Sequence, residues 1–96
     1  MIKVLIKDKS ITISGHANYD EYGKDIVCAA VSATVITTVN GILSIDESSI
    51  EVIENGKVEI KILKENEIVK KLINNMINLL TELQKDYKDN IDIRRC

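Results

Sequence analysis

The sequence predicts an α+β domain, a two-layer fold in which a mostly antiparallel sheet built from two hairpins carries two helices in the order ββαββα. Three observations predict it. Two stretches of strict apolar/polar alternation are each broken by a short turn, two long segments follow helical spacing, and no proline or internal repeat interrupts either pattern. With 96 residues, against roughly 100–150 for a common domain, residues 1–96 form one domain around one core.

Ile2, Val4 and Ile6 alternate with Lys3, Leu5 and Lys7. Asp8-Lys9-Ser10 supplies turn residues, and Ile11 and Ile13 alternate with Thr12 and Ser14, which reads as a first hairpin. A polar loop bounded by Gly15 and Gly23 follows. Asp25 then caps a helix that runs through Val27, Cys28 and Val31 to about Leu43. Its β-branched residues would suit a strand, but its length without a turn signal, with Ala29, Ala30 and Ala33, favours a helix. Apolar nearly all round, it is expected to be buried. Ile50 and Val52, then Asn55-Gly56, then Val58, Ile60 and Ile62 give a second hairpin. Parity favours a three-residue loop, Glu54-Asn55-Gly56 with Gly56 left-handed, pairing Val52 with Val58 and Ile50 with Ile60. From Glu67, capped by Asn66, apolar residues at three-four spacing up to Tyr87 form an amphipathic helix, and Ile91 and Ile93 suit a short C-terminal strand.

Composition narrows the function. Thirteen Lys+Arg against fifteen Asp+Glu give a net charge of −2, so no overall positive field gathers nucleic acid or an anionic membrane. No direct nucleic-acid partner is expected. No apolar run is read as reaching the ~18 residues of a membrane span, and Met1-Ile2-Lys3-Val4-Leu5 looks like a strand, not a leader. The expectation is a cytoplasmic protein that leaves membranes alone. His16, Cys28 and Cys96 are too few and too scattered for zinc, and the four glycines form no phosphate-binding loop. Neither metal nor cofactor is expected.

One histidine leaves one side chain of the type that exchanges protons near neutral pH. His16 lies on the loop, twelve positions before Cys28, which falls in the first turn of the capped helix. A helix N-terminus and a neighbouring imidazolium each favour thiolate over thiol, which is how a cysteine nucleophile is made. Folding the loop back over the helix start would complete a Cys/His dyad. On local sequence alone, the bland readings are the default. Cys28 between Val27 and Ala29 suits a small buried hydrophobe, and His16 suits a surface position. Asp25 suits a plain N-cap, Ser32 a hydroxyl bonded to the preceding turn, and Tyr19 and Tyr22 ordinary loop aromatics.

Resemblance separates these readings. Gly15-His16-Ala17, a loop containing Tyr19 and Tyr22, then Gly23-Lys24-Asp25-Ile26-Val27-Cys28-Ala29-Ala30-Val31-Ser32 resembles the signature of the ribosomal-processing cysteine proteases (Prp). Length and element order agree along nearly the whole chain. The resemblance implies a cysteine endopeptidase that removes the N-terminal extension from the precursor of large-subunit ribosomal protein twenty-seven, cutting after paired aromatic residues. It places the nucleophile at Cys28 and the histidine at His16, with the motif Asp and Ser at Asp25 and Ser32, and it implies a homodimer. In that chemistry backbone N–H groups at the helix start serve the oxyanion. Asp25 either orients His16 or only caps the helix. Gly15 and Gly23 act as hinges of a loop with few apolar contacts, mobile until a substrate orders it, and Tyr19 and Tyr22 close over the bound peptide. A noncatalytic ribosome-biogenesis module or a dimerisation domain would also fit the size, but would leave the Gly-His-Ala and Asp-Ile-Val-Cys pairing without a purpose.

Overall fold

Aliphatic alternation in the first fourteen residues produces β1 (Ile2–Ile6) and β2 (Ser10–Ser14), antiparallel with Ile6 opposite Ile11 and Val4 opposite Ile13. The computed structural model describes residues 1–21, 24–64 and 66–96. After β2 come α1 (Ile26–Ile45), β3 (Ile50–Glu54), β4 (Val58–Ile62), α2 (Glu67–Asp86) and β5 (Ile91–Arg95). The strands form one sheet in the order β3-β4-β2-β1-β5. All pairings are antiparallel except β1 with β5, where Ile2 faces Ile91 and Val4 faces Ile93. The expected α+β architecture and its last strand are therefore present, with one parallel edge.

Alternation sends Ile2, Val4, Ile6, Ile11, Ile60, Ile50 and Ile91 to one face of the sheet, where they are buried with Val27, Val31, Val35, Val39 and Ile42 of α1 and Val69, Ile73, Met76, Ile77 and Leu80 of α2. Asp25 and Asn66 begin the two helices as expected, each accepting two backbone N–H bonds in the first turn. The hydroxyls of Thr34 and Thr38 are satisfied within the helix, donating to the carbonyls of Ala30 and Thr34, both at 2.8 Å.

Three expectations need correcting. The β3–β4 loop has three residues and Gly56 is left-handed at φ +71°, but the loop is Asn55-Gly56-Lys57, so Glu54 faces Val58, Val52 faces Ile60 and Ile50 faces Ile62. Both registers keep apolar residues opposite one another; the observed one brings Ile62 into the pairing as well. Secondly, α1 is buried along one stripe only. Ile26, Ile36 and Ile45 stay more than half exposed, because a two-layer domain covers one side of each helix, however apolar the other side is. Thirdly, α1 runs 20 residues without a charge and is long and apolar enough to cross a membrane. The sequence reading missed this because Ser32, Thr34, Thr37, Thr38 and Asn40 break its apolar residues into short groups.

Candidate active site

Asp25 places Cys28. Its Oδ1 accepts the N–H groups of Val27 and Cys28, both at 3.0 Å, which fixes the thiol half-buried in the first turn of α1 at the positive end of the helix. Its Oδ2 points the other way and accepts the N–H groups of Tyr19 at 3.0 Å and Asp20 at 3.4 Å. One carboxylate thus fastens the helix and the preceding loop together. Burial works against its charge, but the four backbone donors outweigh it and hold the Asp25 carboxyl below its usual 3.8. Of the two roles left open by the sequence, capping is the one observed, and among the described residues Asp25 makes no hydrogen bond to His16.

The loop leaves β2 at Gly15, whose φ of +85° suits glycine and where a Cβ would collide with the carbonyl oxygen of Met1. His16 is exposed, and Ala17 dives into the core at 1% exposure. The Ala17 N–H donates to Cys28 Sγ at 3.2 Å, and its carbonyl accepts from Asn90 Nδ2 at 2.9 Å. Asn18 turns the chain through a left-handed φ of +56°. The Tyr19 ring then meets Tyr87, the C-cap of α2, edge to face at 5.4 Å between centroids.

The loop therefore does fold back over the helix start, but by Ala17, one residue beyond the histidine. Among the described residues no hydrogen bond joins the His16 imidazole to Cys28. The apolar contacts of residues 15–21 come through Ala17 and Tyr19, as expected; what the expectation left out are the polar bonds of this stretch to Sγ, Asp25 and Asn90, which hold it as well. Ser32 is exposed, one turn beyond Cys28, and its hydroxyl makes no hydrogen bond among the described residues. Tyr22 and Gly23 lie outside the described residues. The helix-start donors expected for an oxyanion are largely engaged: Val27 and Cys28 N–H by Asp25 Oδ1, and Ala29 N–H by the Asp25 carbonyl at 3.1 Å.

Sequence reasoning missed Tyr87 and Asn90. Asn90 lies 73 residues from Ala17, and no local spacing signals a contact made only when β5 joins β1. A cavity of about 470 Å³ between the start of α2 and the far ends of β1, β4 and β5 is lined by neither His16 nor Cys28. Cys28 instead sits half-buried at the start of α1 with a backbone donor on its sulfur, and His16, the residue before that donor, is exposed, an arrangement suited to acyl transfer on an extended peptide.

Comparison with known proteins agrees with this chemistry. Residues 1–92 match the family described as cysteine protease Prp. The ribosomal processing cysteine protease Prp of Bacillus subtilis is 35% identical over 88% of this chain and 82% of its own length; that of Staphylococcus aureus is 33% identical over 88% and 84%. Among solved structures, S. aureus Prp with a covalently linked product peptide superimposes at a TM-score of 0.95 and 27% identity, covering both chains completely. The same protein with a substrate peptide gives 0.87 at 26% identity, again over the whole of both chains.

Proposed function

The chain belongs to the cysteine protease Prp family, and from that premise we propose that it removes the N-terminal extension of large-subunit ribosomal protein twenty-seven by acyl transfer from the peptide to Cys28 and then to water, with His16 completing a Cys/His dyad. Cysteine protease activity in ribosomal processing is the family's work, and a purely noncatalytic or dimerisation role loses its ground beside relatives so named. We further propose that the protein acts in the cytoplasm as a homodimer.

Cys28 thiolate attacks the scissile carbonyl, His16 protonates the departing amine, and water activated by His16 then hydrolyses the thioester. The observation that supports this most is the 3.2 Å bond from Ala17 N–H to Cys28 Sγ, which brings the backbone of the His16 loop onto the sulfur and leaves the imidazole one residue away. Completing the dyad then asks the exposed His16 side chain to turn toward Sγ. Tyr19, half exposed on its Tyr87 support, offers an aromatic surface for residues on the acyl side of the cut. The bare stripe of α1 that includes Ile26 and Ile36 supports the homodimer, because a second copy would cover it.

Incubation with the extended precursor, read by product masses, tests the reading. One cut should release the extension, and Cys28→Ala or His16→Ala should lower turnover by about 10⁴-fold or more with native circular dichroism. Cleavage retained by Cys28→Ala ends the protease assignment for this residue.

A further inference from the structure

We propose that the Ala17 N–H is the oxyanion donor of this site and that Asn90 is the positioning residue that aims it. The inference rests on the acyl-transfer reading above and deepens it. With Val27, Cys28 and Ala29 N–H groups held by Asp25, Ala17 N–H is the backbone donor seated on the reacting sulfur, at 3.2 Å.

As Sγ bonds to the carbonyl carbon, the π pair moves onto the carbonyl oxygen, which becomes an alkoxide one atom removed from the sulfur. A donor already on Sγ reaches that oxygen with a small rotation. Sulfur is a weak, diffuse acceptor and an alkoxide a strong one, so the bond strengthens toward the transition state, as catalysis requires. Collapse restores the C=O bond and breaks C–N, with the pair leaving on nitrogen, which takes its proton from the His16 imidazolium.

The aim of this N–H depends on the peptide planes either side of Ala17. Its methyl is buried, and its carbonyl is held by Asn90 Nδ2 at 2.9 Å. Asn90 is itself a fixed mount, donating its N–H to the Tyr87 carbonyl at 3.0 Å and accepting from Ile2 N–H at 2.8 Å. Those backbone bonds survive a change of side chain. Asn90→Asp keeps the shape and loses the donor to Ala17.

Steady-state cleavage of the precursor peptide should show Asn90→Asp and Asn90→Ala lowering kcat by about 10- to 100-fold with KM little changed. Iodoacetamide alkylation of Cys28, a reaction with no oxyanion, should keep the wild-type rate. A chain ligated at Cys28 with an ester replacing the Ala17 N–H should lose roughly 10²–10³ in kcat, whatever the fate of the Asn90 variants. Undiminished kcat in Asn90→Asp, or alkylation slowing in step with kcat, overturns the role of Asn90; an ester chain as fast as wild type overturns that of Ala17. A wild-type protein that leaves the precursor uncut defeats the acyl-transfer reading itself, and this inference with it.

Discussion

Asp25 carries two tasks on two oxygens, and this makes its ionisation consequential. Oδ1 closes the first turn of α1 and Oδ2 holds Tyr19 and Asp20. Because its carboxyl is held below the usual 3.8 in the fold, its contribution to stability is complete above that value and is lost as pH falls through the lowered one. Asn in its place has one acceptor oxygen, so it can serve the helix or the loop but not both. Asp25→Asn should therefore unfold at lower urea than wild type near pH 7, with the gap closing as pH falls below about 4. A gap that stays constant from pH 7 to pH 3 would show that the carboxylate charge is not what the four donors hold. Asp25, Cys28 and His16 were legible in the sequence, because cap and motif are local patterns. Asn90 and the Ala17 amide were not: one is reached only through tertiary pairing, and the other is backbone, on which sequence is silent.

At the scale of elements, the segment from Gly15 to Tyr19 runs on from the end of β2 and is pinned at several points, and Gly15 is where its path is least tolerant. A side chain there would meet Met1 backbone in β1's approach at a φ of +85°. Gly15→Ala should cost about 1–3 kcal/mol for the backbone conformation alone. Thermal melting should fall by roughly 4–8 °C for each kcal/mol, and the displaced Ala17 should cost activity as well. Unchanged melting and turnover would mean that the chain can re-route at this point. Length and cap residues identified α1 and α2, and alternation identified β1 through β4. The β3–β4 register escaped by two residues, a slip that keeps every side chain on its face, because Ile50, Val52, Val58, Ile60 and Ile62 satisfy either pairing.

At the scale of the whole molecule, the sheet and α2 cover one stripe of α1 and leave Ile26, Ile36 and Leu43 facing outward. An apolar face of this kind on a 96-residue chain is stable in water when something covers it. If the cover is a second copy, Ile36→Glu should convert a dimer to a monomer in sedimentation velocity while leaving circular dichroism native. A wild-type chain that sediments as a monomer at micromolar concentration, or an Ile36→Glu dimer, excludes this face as the seat of self-association.

The sequence by itself determined the fold class, the order of elements and both N-caps, because each is written in spacing a few residues wide; His16 and Cys28 were singled out by the resemblance of their motif, since spacing alone left a buried thiol and a surface imidazole as the default. Tertiary structure decided which side of α1 is buried, which register β3 and β4 adopt, and what the Gly15–Tyr19 segment rests on. These depend on how many layers a chain this short can stack and on contacts such as Ala17 with Asn90, across 73 residues, that form only when β5 lies beside β1.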